Sequence, residues 1–390
     1  MKKKIAILGS TGSIGESTLK VIMKDKKNFD VILLSANNNY NKLIQQAKDF
    51  KVKNVLIKNK MFHDRIKDSL KNQKTKVYSG DISINNIISS KLDYTMSAIV
   101  GMAGLQPTID AIKVSKTVAI ANKESIICGW HILSKLKKIY KTEIIPVDSE
   151  HFSIWELTKN VGNKDIEEII ITASGGPFLN IPINKLNFIK PKQAINHPNW
   201  KMGEKISVDS ANMMNKVFEV IEAYKFFGFD KKKYKILIHP QSYVHSIIRF
   251  KSGLIKMILY NPDMKIPISN ILYGKKNHYL NIPKIDTKIL NGLNFYEVNV
   301  KNFPSIKLIG KCLKSGFSTP IIVNACNETL VALFLKQKIA FLDIVKTINK
   351  VFNDKDFKKY ARRKAKSIKD IIIIDNWARL KTNNICIRYI

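Results

Sequence analysis

The chain has 390 residues, of which 45% are hydrophobic and 25% are charged. This balance is too apolar for a disordered chain, and the length suits two or three domains of roughly 100–200 residues each. No apolar run approaches the roughly 18–20 residues that cross a bilayer, and Gly9–Ser13 interrupts the first apolar stretch too early for a signal peptide. The composition predicts a soluble, cytoplasmic, multidomain protein.

The net charge is strongly positive, because 66 Lys and Arg residues outnumber 31 Asp and Glu residues to give +35. Only six of the cations are arginines, although the planar arginine fork is the usual reader of bases and phosphates. The lysines are spread along the whole chain. The charge therefore predicts attraction for small anionic ligands and no nucleic-acid or membrane partner, with nonspecific nucleic-acid binding as the alternative.

The four cysteines have no CxxC spacing and no histidine at metal-ligand distance in the sequence. This pattern predicts isolated thiols in a reducing compartment, and it argues against both a zinc site and a disulfide framework.

Short apolar runs alternate with amphipathic segments in the first third of the chain. Such alternation indicates βαβ units and a parallel sheet. The predicted strands are Ile5–Leu8, Val31–Leu34, Val55–Ile57, Tyr94–Ile99, Val118–Ala121 and Glu143–Val147, and the clearest helices are Glu16–Met23 and Leu43–Phe50.

The rest of the chain reads as a different architecture. Strands at Ile169–Thr172, Lys235–Ile238, Ser246–Phe250 and Leu254–Leu259, with one long helix at Val208–Gly228, predict an α+β domain whose sheet is largely antiparallel. The fold class is therefore α/β, with a Rossmann-like domain at 1–150, a catalytic α+β domain at 151–285 that includes a lid at about 181–205, a linker at 286–311 and a helical domain at 312–390.

A glycine-rich loop follows the first predicted strand and precedes a helix. Gly9, Gly12 and Gly15 have GxxGxxG spacing, which is weaker as a motif than GxGxxG but occurs here in the strand–loop–helix context. Such a loop lets backbone N–H groups and a helix N-terminus approach a pyrophosphate. The second strand ends in Asn37, Asn38 and Asn39 rather than in an acid, which favours NADP over NAD.

Two segments carry residues suited to metal and phosphate binding. Asp148, Ser149 and Glu150 follow a strand, and a period of two would place both carboxylates on one side. In the predicted helix, Asn215 and Glu219 are four residues apart and Lys216 lies beside them, while Ser210 lies near the expected helix start. Solvated acids and an ordinary amphipathic helix are the alternatives.

Two further loops stand out. Ser174-Gly175-Gly176-Pro177 offers a hydroxyl on flexible backbone after a strand. His197–Gly203 carries Trp200 and Met202 without a helical or strand period, which is typical of a closing lid or of a loop packed on the surface.

These motifs occur together in one order along the chain, and in this combination the sequence closely resembles the 1-deoxy-D-xylulose 5-phosphate reductoisomerase family of the non-mevalonate isoprenoid pathway. The segments that carry the resemblance are Gly9–Gly15, Ala121–Ser125, Pro146–His151, Ser174–Phe178, His197–Gly203, Val208–Lys216 and Asn324–Glu328. The resemblance implies reduction and rearrangement of 1-deoxy-D-xylulose 5-phosphate to 2-C-methyl-D-erythritol 4-phosphate with NADPH and Mg²⁺ or Mn²⁺, in a homodimer.

The resemblance also implies a role for each site residue. The implied metal ligands are Asp148, Glu150 and Glu219, and the implied catalytic residues are Lys123, Glu150 and His197. Substrate would be held by Lys123, Ser149, Glu150, Ser174, His197, Ser210, Asn215, Lys216 and Glu219. The cofactor would be held by Thr11, Gly12, Ser13, Ile14, Asn37, Asn38, Asn39, Asn122, Glu124 and Gly203.

One departure concerns the cofactor, because family members often have a Gly-Lys-Asn-like stretch where this chain has Asn37-Asn38-Asn39. The selectivity for NADPH would then rest on the asparagines or on the general positive field. The alternative enzyme is a plain NADP-dependent semialdehyde or homoserine-type dehydrogenase, which has no need of a carboxylate-bound metal and should survive chelation.

Overall fold

The structure is a computed structural model that describes residues 2–200, 202–274 and 280–387. Lys201 of the predicted lid, residues 275–279 and the last three residues of the predicted C-terminal domain lie outside the described residues. The chain forms two compact units. The first comprises Met1–Ser125, Gly129–Phe152 and Asp263–Asn281, and the second comprises Ile126–Cys128, Ser153–Pro262 and Ile282–Ile390.

The first unit is built on a parallel sheet, as predicted, and this sheet has seven strands where the sequence predicts six. The strands have the order β4-β3-β2-β1-β5-β6-β7. From residue 3 to residue 146 the elements are β1 (Lys3–Leu8), α1 (Ser13–Met23), β2 (Phe29–Ala36), α2 (Tyr40–Phe50), β3 (Asn54–Ile57), α3 (His63–Ser69), β4 (Lys76–Ser79), β5 (Leu92–Ser97), α4 (Leu105–Val114), β6 (Ser115–Ile120), α5 (Lys123–Tyr140) and β7 (Glu143–Pro146).

The central strands are buried on both faces, which is why they read as continuous apolar runs. Residues 5 to 8 of β1 are at most 1% exposed. Strand β4 was not predicted, because its four residues are half-buried or exposed and form no apolar run. All seven carboxyl ends meet at one edge of the sheet, where open α/β folds bind their ligands.

The next stretch of chain leads into the second sheet. Its elements are α6 (Ser149–Leu157), β8 (Ile166–Ala173), α7 (Pro191–Ala194), α8 (Glu204–Ala211), α9 (Met214–Phe227), β9 (Tyr234–Ile238), β10 (Val244–Phe250), β11 (Ile255–Leu259) and α10 (Lys265–Tyr273). Helix α10 belongs to the first unit, where the Tyr273 ring lies edge-on to Phe29 at 5.4 Å between centroids.

The second unit contains a five-stranded sheet in the order β11-β10-β8-β9-β12. Only β8 and β9 pair in parallel, which confirms the prediction of a largely antiparallel sheet. The remaining elements are α11 (Thr287–Asn291), β12 (Tyr296–Glu297), α12 (Lys307–Lys314), α13 (Thr319–Leu335), α14 (Asp343–Phe352), α15 (Phe357–Arg362) and α16 (Ile368–Ile387).

The predicted linker at 286–311 contains regular structure, because it includes α11 and also β12, which pairs with β9. The predicted domain boundaries stay a prediction. Among the residues that the structure describes, no helix is long and apolar enough to cross a membrane.

The single helix predicted over Val208–Gly228 is wrong, because the structure has two helices there. Met213 has a left-handed backbone, with φ of 63°, and separates α8 from α9. The Asn212 carboxamide oxygen accepts the Met214 N–H at 2.9 Å, and the Asn212 carbonyl accepts the Ser305 hydroxyl. These contacts fix a break that the apolar periodicity does not reveal.

Candidate active site

The glycine-rich loop joins β1 to α1 at the carboxyl edge of the parallel sheet. Gly12 is the N-cap of α1, with no side-chain cap, so the first N–H groups of the helix have no intrahelical partner. A Cβ on Gly15 would lie 2.4 Å from the Gly9 carbonyl oxygen. The loop therefore has the tight backbone packing that a pyrophosphate site needs. Thr11, Gly12, Ser13 and Ile14 all lie in it.

The asparagines after β2 form local bonds. Asn39 caps α2 by accepting the Lys42 N–H at 3.2 Å, and Asn38 accepts the Asn59 carboxamide at 3.0 Å. The Asn37 carbonyl accepts the Asn59 N–H. The side chain of Lys42, the nearest following cation, is paired with Glu16 at 2.6 Å.

The start of α5 places three predicted residues at the same sheet edge. Asn122 is the N-cap and accepts the Ser125 N–H at 2.8 Å, while its amide donates to the Gly101 carbonyl at 2.8 Å. Lys123 and Glu124 follow in the first turn, and both are buried. The Lys123 ammonium lies 2.8 Å from the carboxylate of Asp148.

Asp148 and Glu150 are close, but not for the reason predicted. Strand β7 ends at Pro146 and α6 begins at Ser149, so the period-of-two argument for Asp148 and Glu150 is wrong. Asp148 immediately precedes α6 and Glu150 lies in its first turn, where a carboxylate also suits the helix dipole. Their carboxylate oxygens are within 4.8 Å of each other, and the Ser149 hydroxyl donates to Glu150 at 2.6 Å.

Ser174 and His197 meet in the second unit. Ser174 Oγ lies 2.9 Å from His197 Nε2 and accepts the Gly176 N–H at 3.1 Å. His197 Nδ1 accepts the N–H groups of Asn199 and Trp200 at 3.1 and 3.0 Å. Because Nδ1 accepts, the ring proton lies on Nε2 and is donated to Ser174. Ser174 then accepts two N–H groups, so its own hydroxyl can still act as a donor.

The ring of His197 is neutral at ordinary pH. Burial, together with the nearby Lys216 ammonium, lowers the pKa of His197 from 6.5 to about 4. The two N–H groups directed at Nδ1 suit only the neutral ring, so the hydrogen bonds and the pKa agree.

Ser210 lies at the end of α8, so its predicted position near a helix start is wrong. The break at Met213 causes this difference. Ser210 nevertheless lies near the Ser174 loop, because a Cβ on Gly176 would lie 3.0 Å from the Ser210 carbonyl oxygen and 2.9 Å from Ala211 Cα. Gly203, at the other end of α8, is its N-cap and has open space beside it.

Asn215, Lys216 and Glu219 cluster on α9, as predicted. The Asn215 amide donates to one Glu219 carboxylate oxygen at 2.5 Å, and the Lys216 ammonium pairs with the other. Lys216 and Glu219 are buried, at 6% and 1% exposed. Glu219 belongs to the second unit, whereas Asp148 and Glu150 belong to the first.

The sequence reasoning missed three residues around His197. Asn199 lies within the predicted lid segment His197–Gly203 without a role that the sequence indicates, and no sequence pattern used above points to His239 or Ser242. The signal that could have found the last two is a polar His-Pro-Gln-Ser turn directly after a predicted strand, at the same sheet edge as Ser174.

A parallel sheet whose first strand enters a glycine-rich loop and then a helix is typical of dinucleotide-binding enzymes. Three family profiles match: "1-deoxy-D-xylulose 5-phosphate reductoisomerase" at residues 5–129, its "C-terminal domain" at 144–227, and the "DXP reductoisomerase C-terminal domain" at 259–381.

Similar proteins align with this chain over nearly its full length. The 1-deoxy-D-xylulose 5-phosphate reductoisomerase of Pelagibacter ubique is 47% identical over 99% of this chain and 100% of its own. That of Wolbachia pipientis is 40% identical over 98% and 97%. The chain therefore belongs to the 1-deoxy-D-xylulose 5-phosphate reductoisomerase family.

Solved structures agree in fold. The Zymomonas mobilis enzyme in complex with NADPH superposes with a TM-score of 0.91 at 35% identity, covering 99% of both chains. A reductoisomerase in complex with NADPH, fosmidomycin and magnesium superposes with a TM-score of 0.93 at 30% identity, covering 98% of both.

Proposed function

We propose that this chain converts 1-deoxy-D-xylulose 5-phosphate to 2-C-methyl-D-erythritol 4-phosphate, by rearrangement followed by reduction with NADPH, in isoprenoid precursor biosynthesis. The observation that carries the proposal is the 47% identity to a named reductoisomerase over 99% of the chain. The plain dehydrogenase alternative does not account for a match of that length.

The glycine-rich loop supports an NADPH site. Its backbone packs so closely at Gly15 that no side chain fits there, and the uncapped N-terminus of α1 offers N–H groups to an anion. Thr11, Gly12, Ser13 and Ile14 would hold the pyrophosphate. Asn37, Asn38, Asn39, Asn122, Glu124 and Gly203 are the further cofactor residues of the proposal.

Asp148, Glu150 and Glu219 are the proposed metal ligands. They offer only carboxylate oxygens, the donors that Mg²⁺ and Mn²⁺ prefer. A bound divalent ion would supply Lewis-acid polarisation of the substrate carbonyl and hydroxyl oxygens. Lys123, a proposed catalytic residue, would stabilise negative charge beside Asp148, with which it is paired at 2.8 Å. Glu150 is a proposed catalytic residue as well as a ligand, and Ser149 already donates to it.

The substrate phosphate would be held by hydroxyl, amide and ammonium donors. Ser174 has a hydroxyl proton to give, since His197 and the Gly176 N–H already occupy its acceptor positions. The Lys216 ammonium and the Asn215 amide would add charge-assisted bonds, and Ser210 would add a second hydroxyl. Binding energy from a phosphate remote from the reacting carbons serves to position them.

The segment at 181–205 is the proposed lid, with Trp200 as its apolar cover. A closed segment would keep water from the reactive aldehyde until hydride is delivered. Limited proteolysis between Ile181 and Lys205 tests the lid: cleavage should be fast in the free enzyme and slow with a phosphonate substrate analogue. Equal rates would make the segment a fixed structural element.

The activity is tested by following NADPH absorbance with 1-deoxy-D-xylulose 5-phosphate in the presence of Mg²⁺ or Mn²⁺. Turnover should disappear with EDTA and return when the metal is restored. A metal-independent oxidation of NADPH by semialdehyde substrates would favour the dehydrogenase alternative.

We also propose that the protein is a homodimer and that it is located in the cytoplasm. Sedimentation would test the first proposal and cell fractionation the second.

A further inference from the structure

Asn199 connects the substrate-facing histidine to a neighbouring turn. Its backbone N–H donates to His197 Nδ1 at 3.1 Å. Its side-chain amide donates to the Pro240 carbonyl at 2.5 Å and to the Ser242 hydroxyl oxygen at 2.9 Å. One residue therefore both contacts the ring and attaches the segment around it to another part of the second unit.

The Asn199 amide donates to oxygens of a turn formed by residues 239–243, the receptor turn. It begins beside Ser174, because the His239 N–H donates to the Ala173 carbonyl at 2.7 Å. Ser242 has a left-handed backbone, with φ of 58°, and its N–H donates to the His239 carbonyl at 3.1 Å. The receptor turn is thus a closed, strained turn whose place is set by the end of β8.

The side chain of His239 holds the receptor turn from inside. Its ring is fully buried and stacks on Phe295 with centroids 4.7 Å apart. Its Nδ1 lies 2.9 Å from the Asn294 carbonyl, and its Nε2 accepts the Tyr243 N–H at 3.2 Å. With both ring nitrogens bonded, the turn offers Asn199 two oxygens in a fixed position.

The fixed attachment of Asn199 to the receptor turn matters because His197 needs a particular tautomer. Its Nδ1 accepts two N–H groups, from Asn199 and Trp200, so Nε2 must carry the proton that is given to Ser174. If the Asn199 backbone moves away, Nδ1 keeps one N–H donor, that of Trp200, and the orientation and tautomer of the ring are held less firmly. Ser174 would then be oriented less well for a phosphate.

We propose that Asn199 is a positioning residue that, seated on Pro240 and Ser242, fixes the orientation and tautomer of His197 and so the donor direction of Ser174. This inference rests on the proposed function for its kinetic consequence but not for its structural one. Asn199 itself need not touch the substrate.

The matched pair of variants is Asn199→Asp and Asn196→Asp. The first replaces an amide donor by a carboxylate that faces the Pro240 carbonyl oxygen, so the attachment of residue 199 to the receptor turn is lost. The second makes the same change at an exposed residue one position before His197. We expect Asn199→Asp to raise KM for 1-deoxy-D-xylulose 5-phosphate roughly ten-fold, the effect of losing one or two hydrogen bonds. The Kd of NADPH should stay within about two-fold.

Histidine ¹⁵N NMR gives a readout that does not depend on activity. In the unaltered protein and in Asn196→Asp, His197 should appear as a single neutral tautomer with the proton on Nε2. In Asn199→Asp the same ring should show exchange between tautomers. Unchanged melting temperatures would separate this effect from unfolding.

Ser242→Gly tests the positioning role of Asn199 if Asn199→Asp does not fold. Glycine keeps the left-handed backbone of the turn and leaves the Pro240 carbonyl in place, so we expect a smaller rise in KM, about two- to three-fold. A His197 tautomer and KM unchanged in Asn199→Asp, or equal changes in Asn199→Asp and Asn196→Asp, would overturn the proposal. Failure of the proposed function would instead remove turnover in every protein, including the unaltered one, and leave the NMR comparison intact.

Discussion

The two regions suited to phosphate are built in opposite ways. The loop from Gly9 to Gly15 lies within seven consecutive residues and offers backbone N–H groups, so its shape depends on the absence of side chains. The region around Ser174, His197 and Lys216 offers side-chain donors from separate elements. A backbone site cannot be altered without disturbing the chain, whereas a side-chain site can be dissected one group at a time.

The largest expected effect is at Glu150, a side chain that can be altered without disturbing the backbone, unlike the glycine-rich loop. Glu150→Gln keeps the shape of the residue, including an oxygen that can accept the Ser149 hydroxyl, but removes a carboxylate charge. We expect turnover to fall roughly a hundred-fold or more, as when a charged group that stabilises the transition state is lost, with little change in melting temperature. Steady-state kinetics and Mn²⁺ titration would measure both effects.

Glu156→Gln is the matched control, since Glu156 is on the same helix and its side chain is 42% exposed. It should leave turnover and Mn²⁺ affinity unchanged. Equal Mn²⁺ affinity in Glu150→Gln and the unaltered protein would remove Glu150 from the ligand set.

Gly15→Ala should affect stability and cofactor binding together. The added Cβ would lie 2.4 Å from the Gly9 carbonyl oxygen, so the loop must shift. Forcing an extra methyl into packed backbone costs about 1–3 kcal/mol of unfolding free energy, and we expect NADPH affinity to fall at least ten-fold. Denaturant unfolding and NADPH fluorescence titration are the measurements.

Gly310→Ala provides the comparison, because Gly310 lies in α12 with nothing within 4 Å of an added Cβ. There the substitution should stabilise the protein by about 0.5–1 kcal/mol. If Gly15→Ala behaved like Gly310→Ala, the loop would not be the rigid backbone site described here.

Lys216→Ala should weaken substrate binding more than NADPH binding. A charge-assisted bond to phosphate contributes about 1.5–3 kcal/mol, so Kd for the substrate should rise about ten- to a hundred-fold. Calorimetry with each ligand separately measures the ratio. Equal losses for both ligands would assign Lys216 to the cofactor or indicate general unfolding.

The smallest effect concerns pH. The folded-state pKa of His197 is about 4, below its ordinary value of 6.5, so the folded protein binds this proton less readily than the unfolded chain does. Its contribution to stability is therefore complete above about pH 6.5 and is lost as pH falls toward 4. Denaturant unfolding at pH 7 and pH 5 should show a larger loss in the unaltered protein than in His197→Gln. The same loss in both would contradict the lowered pKa.

The features best predicted from the sequence are those fixed by residues close together in the chain. The apolar runs located the central strands of the parallel sheet, and the glycine spacing located the loop between β1 and α1. Strand β4 escaped because an edge strand that is half-exposed has no apolar run. The break at Met213 escaped because Asn212 and Ser305, which are 93 residues apart, fix it by a hydrogen bond.

The site was predictable to a similar degree. The grouping of Asn215, Lys216 and Glu219 follows from helical spacing alone. The proximity of Asp148 and Glu150 was expected for the wrong reason, because the strand ends before them and a helix begins. The side-chain hydrogen bonds of Asn199 to Pro240 and Ser242 join residues more than forty positions apart in the chain, and no local pattern indicates such contacts.

The most direct test of the account follows the carbon skeleton of the product. Substrate labelled with ¹³C at the adjacent carbons 3 and 4 would be incubated with the protein, NADPH and Mg²⁺, and the product examined by ¹³C NMR. The account predicts that the direct one-bond coupling between the two labels disappears, because conversion to a 2-C-methyl-branched product separates them. A reduced product that keeps this coupling would show simple reduction of the ketone, and would contradict the assignment as a reductoisomerase.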